Sequence, residues 1–166
     1  MPNSRIADEI PGIKSLAKFR PSTGKPLTAL AETILRGPSP LTHGERELIA
    51  AYVSYKNNSM FVYQGHAAAA RRMYGAAGFL VNEVMRDPNT ATISKKLKIL
   101  LRIAGKVQVS GLAVKQQDVD EAKSHGASDR EVHDTVLIAS VFCMINRYVE
   151  GMNNFTRVGK EKVEDN

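Results

Sequence analysis

The sequence predicts an all-α fold, and three observations support this prediction. Apolar residues recur at intervals of three and four along most of the chain, which is the spacing of one face of a helix. Capping patterns begin two of these segments, Thr42 with Glu45 and Ser128 with Glu131. No segment alternates apolar and polar residues as a strand does. With 166 residues, 43% of them hydrophobic and 24% charged, the chain is typical of one soluble domain with its own core.

The N-terminal part, residues 1–25, is expected to be an extended arm because helix breakers interrupt it. These breakers are Pro11, Gly12, Pro21 and Gly24. Residues 26–157 are predicted to form a single helical domain, and residues 158–166 a frayed tail.

Within this domain, helical spacing and breakers divide the chain into seven segments. The predicted helical segments are residues 26–36, 41–58, 59–75, 76–87, 93–110, 118–126 and 128–155. The last is longer than the usual globular helix and contains the small residues Ala139, Ser140 and Gly151. Small residues allow close packing of helices, and the alanine run 67–70 adds to this. We therefore expect a homo-oligomer.

The charge pattern excludes several classes of function. The net charge is +6, but the 23 Lys and Arg residues are scattered, and the densest cluster, 94–102, is typical of a solvated helix face. Neither nucleic acid nor a membrane is an expected partner, and the N-terminus lacks a secretory signal, so the expected location is cytoplasmic. No nucleotide-binding motif occurs, so no cofactor is expected. The histidines are too dispersed to predict a metal site.

The stretch "NNSMFVYQGH" (57–66) is the most informative part of the sequence. If a helix starts near Ser59, then Ser59, Val62 and His66 share one face of it. The preceding helix ends just before this stretch, and Glu47 and His66 lie equally far from the turn. Each is about 14–15 Å along its helix at about 1.5 Å per residue. The spacing therefore permits a Glu47–His66 pair, which would make a usable proton relay.

The other two positions favour structural roles when they are considered alone. Ser59 is interpreted as a helix N-cap or turn residue rather than a nucleophile, because no GxSxG-like context surrounds it. Val62 is interpreted as a packing residue. Cys143, the only cysteine, is expected to be an inert buried thiol, so the chain can form neither an internal disulfide nor a CxxC dithiol.

The spacing resembles the motif E-x11-C-x2-C-x3-H of the AhpD-like alkylhydroperoxidases, in the carboxymuconolactone decarboxylase superfamily. Here the motif positions are Glu47, Ser59, Val62 and His66, so both cysteines are replaced. The flanking sequences "GERELIAAYVSYKNN" and "HAAAARRMYG" are similar to the peroxidase-related branch. So is "HGASDREVHDTVLIASVFCMINRYVEGM" in the second half.

This resemblance implies an all-α AhpD-like fold that assembles as a dimer, trimer or hexamer. It implies a catalytic site at Glu47, Ser59, Val62 and His66, where family enzymes have a relay glutamate, two redox cysteines and a histidine. Family enzymes reduce peroxides or accept electrons from a dihydrolipoyl partner. Without the cysteines, the chain is expected to be a peroxidase-related protein with impaired thiol chemistry.

Two alternatives stay open. One is a cysteine-independent enzyme that resembles carboxymuconolactone decarboxylase and acts on a small anionic substrate. The other is a non-catalytic oligomeric scaffold.

Overall fold

The computed structural model describes the backbone of residues 13–164, and side chains within residues 13–152 except at position 15. The described residues form eight α-helices and two short 3-10 turns, without a strand. The helices are α1 (Ile13–Phe19), α2 (Pro21–Arg36), α3 (His43–Lys56), α4 (Met60–Tyr74), α5 (Leu80–Arg86), α6 (Lys95–Val109), α7 (Gln116–Ser124) and α8 (Asp129–Glu164). The predicted fold class, all-α, is confirmed.

The expected N-terminal arm is wrong over residues 13–25, which are helical, and its residues 1–12 lie outside the described part of the chain. Pro21 does not break a helix because it occupies the first turn of α2, where its missing N–H would have no helical partner. Gly24 allows α1 and α2 to cross closely, since a Cβ atom there would lie 2.2 Å from the Cα atom of Ala17. Pro21 and Gly24 therefore shape a helical hairpin of α1 and α2.

Helices α3 and α4 form an antiparallel hairpin with a tight turn. The predicted capping box at the start of α3 is confirmed, because Thr42 and Glu45 bond reciprocally through side chain and backbone. At the turn, Asn58 adopts a left-handed conformation with φ of 56°, which asparagine tolerates better than most residues. The peptide N–H of Ser59 then donates to the Ser54 carbonyl oxygen at 3.0 Å, which closes the turn.

Helix α3 is the centre of the molecule. It packs against α2, α4, α6 and α8, and nearly every residue from Gly44 to Ser54 is buried. Burial around the whole helix explains why any polar side chain on α3 needs partners from neighbouring helices. Two charged residues, Arg46 and Glu47, are among those buried.

Helix α8 is longer than predicted. It begins with the expected Ser128–Glu131 capping contacts and continues through Glu164. The backbone of residues 158–164 is helical, so the predicted fraying of the tail stays a prediction, and residues 165–166 lie outside the described part of the chain. Within α8, the stretch Asp129–Met152 is long and apolar enough to cross a bilayer by length and composition alone. About half of the most apolar part is buried inside the protein, as expected for a core helix.

Candidate functional site

The side chains of Glu47 and His66 meet across the α3–α4 hairpin. The Nδ1 atom of His66 lies 2.6 Å from Oε2 of Glu47. A carboxylate only accepts hydrogen bonds, so the contact places the neutral imidazole's proton on Nδ1 and leaves the lone pair on Nε2. The hairpin thus forms the pair that the sequence spacing permits, and its catalytic role stays a prediction.

Arg36, the last residue of α2, completes a triad of charged and titratable groups. Its Nη2 atom donates to Oε1 of Glu47, so each carboxylate oxygen has one strong donor. Burial by itself raises the pKa of the Glu47 carboxyl, which is only 1% exposed. The hydrogen bonds and charges of His66 and Arg36 outweigh burial, and the net pKa is lowered. Glu47 is therefore held as an anion at neutral pH.

His66 is also fixed by an aromatic contact. The Phe142 ring on α8 packs edge-on against the imidazole, with ring centroids 4.6 Å apart. About a quarter of the His66 side chain remains exposed. The imidazole is thus held in one orientation by Glu47 and Phe142 while it keeps some access to solvent.

The prediction that Ser59 is an N-cap or turn residue is confirmed for its position, although its side chain does not cap the helix. Ser59 occupies the N-cap position of α4, but its side chain makes no capping bond. Its Oγ atom instead donates to Oε1 of Glu150 on α8 at 2.8 Å, and the residue is fully buried. The only proton of the Ser59 hydroxyl is therefore donated to the Glu150 carboxylate on another helix. The prediction that Val62 packs in the core is confirmed, because it is only 9% exposed.

A chain of hydrogen-bonded amides and a hydroxyl lies at the hairpin turn, partly buried at Gln108 and Asn57 and fully buried at Asn146 and Ser54. Gln108 donates to Oδ1 of Asn57 at 2.9 Å, Asn57 donates to Oδ1 of Asn146 at 2.9 Å, and Asn146 donates to Oγ of Ser54 at 3.0 Å. Asn57 also lies 3.6 Å from the Cys143 sulfur. This network joins α3, α6 and α8, and it fixes the turn that positions Ser59. Cys143 is buried, as expected.

Sequence reasoning missed three residues that contact the predicted site positions: Arg36, Phe142 and Glu150. Arg36 ends a helix, where a basic residue is explained by the helix dipole alone. Phe142 and Glu150 lie on α8, whose rotation about its axis the sequence does not reveal. Among the described residues, no group of three or more His, Cys, Asp or Glu side chains is arranged to hold a metal ion.

Comparisons with solved structures place this arrangement in a known fold. A peroxidase-related protein from a Silicibacter species matches with a TM-score of 0.78 and 24% identity, over 89% of this chain and 77% of its own. A peroxidase-related protein with an alkylhydroperoxidase AhpD core from Ralstonia eutropha gives the same values. A protein of unknown function from Agrobacterium tumefaciens, described as an antioxidant defence protein AhpD, matches with a TM-score of 0.71 and 20% identity. The last match covers 82% of this chain and 91% of the other.

The chain therefore has the AhpD-like fold of peroxidase-related proteins, as the sequence predicts. No protein-family model and no curated protein matches it.

Proposed function

We propose that this chain is a peroxidase-related protein of the AhpD-like type that keeps the proton relay but lacks dithiol chemistry. The observation that supports this most directly is the Glu47–His66 pair, with its 2.6 Å contact and its second anchor at Arg36. The relay positions retain their side chains, while the two redox positions hold Ser59 and Val62.

The relay can move a proton without a thiol. Glu47 stays anionic and orients the imidazole, and it also stabilises the imidazolium that forms when His66 takes up a proton. Imidazole is the side chain suited to proton exchange near neutral pH. The arrangement can therefore act as a general base or acid toward a bound group.

Peroxide reduction by a dithiol needs two sulfur atoms. A thiolate attacks the peroxide and becomes a sulfenic acid as the alcohol leaves, and the second thiol then forms the disulfide and releases water. An external dithiol of the dihydrolipoyl type returns the disulfide to two thiols. With Cys143 as its only cysteine, this chain cannot complete that cycle within one molecule. We expect little or no peroxide turnover.

A second candidate function follows from the same relay. An acid–base enzyme similar to carboxymuconolactone decarboxylase would use Glu47 and His66 on a small anionic substrate and would not need either cysteine. The partial exposure of His66 supports this candidate, because the imidazole can then serve as the base while the Arg36–Glu47 ion pair keeps the carboxylate anionic. For either function we expect a cytoplasmic homo-oligomer, which is a dimer, trimer or hexamer.

The test is a peroxide-reduction assay with dihydrolipoamide as the reductant. It compares the parent chain with the Ser59→Cys/Val62→Cys double variant. The Cα atoms of residues three apart on a helix lie about 5 Å apart, which is within the Cα–Cα range of about 4.4–6.8 Å for a disulfide. We expect turnover in the double variant and none in the parent.

Two further variants make the test specific. Adding Glu47→Gln to the double variant removes the relay and is expected to reduce turnover at least tenfold, since general acid–base groups contribute about 10²–10⁴-fold. Adding Cys143→Ser is expected to leave turnover unchanged. If the double variant is folded but inactive, the peroxidase-related proposal fails, and the acid–base or scaffold alternatives replace it.

A further inference from the structure

An open depression of about 510 Å³ lies between the end of α2 and the start of α3. Two arginines, Arg36 and Arg46, are among the residues that line it. Thr42 and His43, at the N-terminus of α3, line it as well. The depression adjoins the relay because Arg36 is itself a partner of Glu47.

Arg46 is an unusual residue because its charge is buried without a direct counterion. The residue is only 2% exposed, and its Nη1 atom donates to the backbone oxygens of Ile34 and Gly37 at 3.2 and 2.8 Å. Among the residues that the structure describes, Arg46 forms no ion pair, and its buried Nε atom has no hydrogen-bond partner. Neutral carbonyl groups therefore hold a cation that an anion would stabilise better.

The electrostatics of Arg46 agree with this geometry. Burial lowers its pKa, and the nearby positive charge of Arg36 lowers it further. The negative charges of Asp134 and Glu47 act in the opposite direction, but the net pKa is still lowered. The residues that line the depression include these two arginines and no acidic residue.

Arg36 supplies the second cation and is the more accessible of the two. A third of its side chain is exposed, although one nitrogen donates to Glu47 and another to the Leu35 carbonyl oxygen. A planar guanidinium matches the two oxygens of a carboxylate or phosphate group. The α3 N-terminus adds less, because the Glu45 side chain already accepts from the Thr42 N–H and hydroxyl.

A second basic depression, of about 320 Å³, makes a useful contrast. It is lined by Arg102 and Lys106, among others, but both cations are paired, Arg102 with Glu121 and Lys106 with Asp118. Their charges are already compensated by acids of α7. Arg46 distinguishes the first depression, because it is a buried cation without an acid of its own, whereas Arg36, Arg102 and Lys106 each pair with an acid.

We propose that the Arg36–Arg46 depression binds an oxyanion group, the carboxylate or phosphate of a small ligand. This goes beyond the proposed function, since binding does not require the relay to be catalytic. Occupancy is coupled to the relay, because a ligand that bonds to Arg36 competes with Glu47 for the same guanidinium. For the acid–base candidate, the depression would supply the substrate's anion subsite.

Binding is tested with the full chain by amide NMR. Inorganic phosphate and succinate are titrated separately, and chloride keeps the ionic strength constant. We expect saturable shifts at residues 37–39 and 42–44, and a change in the His66 ring resonances over the same concentration range. Arg36→Gln is expected to raise the dissociation constant about tenfold or more, because it removes a charge-assisted contact.

Two other variants separate specific binding from general electrostatics. Arg46→Lys keeps the charge but loses the planar fork, and it is expected to weaken binding several-fold. Arg86→Gln removes one charge from an exposed site on α5 and is expected to leave the dissociation constant unchanged. If Arg46→Lys does not fold, the dissociation constant of Arg36→Gln alone decides whether binding is specific to the depression.

The outcomes either identify the class of ligand or show that the depression does not bind an oxyanion. Saturation by phosphate alone identifies a phosphoryl ligand, saturation by succinate alone identifies an organic acid, and saturation by both identifies a general oxyanion site. Linear shifts with neither probe saturating, or equal affinity in Arg36→Gln and Arg86→Gln, would overturn the proposal. Peroxide turnover does not enter this test, so it can fail while the proposed function stands.

Discussion

At the scale of single residues, the buried carboxyl group of Glu47 governs the site. A carboxylate on a helix that is buried all round is costly unless each oxygen has a donor. Arg36 and His66 provide these donors from two other helices. These contacts stabilise the buried charge of Glu47, and the contact with His66 also orients the imidazole. The stability of the fold and the geometry of the relay therefore depend on the same interactions.

The first prediction concerns stability and pH. The folded-state pKa of Glu47 is lowered from its ordinary value of about 4.5. Its stabilising effect is therefore complete above that pH and is lost as the pH falls through the lower, folded-state pKa. Glu47→Gln is expected to lower the free energy of unfolding by about 2 kcal/mol at pH 7. The difference between parent and variant should shrink steadily below about pH 4.5.

Urea unfolding of both chains between pH 3 and pH 7 measures this difference. Glu32→Gln is the matched control, because Glu32 is an exposed acid on α2 and its replacement should change stability by less than about 0.5 kcal/mol. A constant difference between parent and Glu47→Gln across the pH range would contradict the ion-pair explanation.

At the scale of secondary-structure elements, the α3–α4 hairpin determines which side chains meet. Asn57 and Asn58 form its turn in different ways. Asn57 is held by side-chain bonds to Gln108 and Asn146, whereas Asn58 supplies the left-handed residue. A change in this turn would alter the register of α4 against α3, and therefore the distance between Glu47 and His66.

The second prediction tests the turn at Asn58. Asn58→Ala is expected to destabilise the fold by about 1 kcal/mol, because a Cβ-bearing residue without a short polar side chain adopts positive φ at a cost. Asn58→Gly is expected to stay within about 0.5 kcal/mol of the parent, since glycine adopts this conformation readily. Thermal unfolding of the three proteins measures both values. Equal stability of the alanine and glycine variants would show that the backbone conformation is not strained there.

The elements also show what a sequence can and cannot predict. Helical spacing and capping boxes predicted the segments from α3 to α8, and counting from the turn predicted the level of Glu47 with His66. The N-terminal hairpin was missed because Pro21 and Gly24 were interpreted as breakers, whereas they occupy a first turn and a close crossing. Arg36 and Glu150 could not be predicted, because their contacts depend on how separate helices are rotated and packed.

At the scale of the whole molecule, several large apolar side chains remain exposed on the single chain. Three of them lie around the turn of the α3–α4 hairpin: Tyr55, Met60 and Phe61, which are 41–45% exposed. All three lie within four residues of the turn in sequence, and we call them the turn patch. Such patches are typical of interaction sites in soluble proteins.

The third prediction is that the turn patch contributes to a homo-oligomer. We expect sedimentation velocity to show the parent chain as a dimer, trimer or hexamer at micromolar concentration. The Met60→Lys/Phe61→Lys double variant places two charges in the patch and should shift the distribution toward monomer, because desolvating unpaired charges in an interface is unfavourable. Both side chains are about half exposed, so the fold of the single chain should tolerate the change.

Leu112→Lys is the matched control for this experiment. Leu112 is 85% exposed and lies in the 3-10 turn after α6, away from the turn patch in sequence. Its replacement should leave the oligomer intact. A parent chain that is monomeric at tens of micromolar contradicts the prediction outright. If the oligomer persists in the double variant but dissociates with Leu112→Lys, the interface lies at the end of α6 rather than at the turn patch.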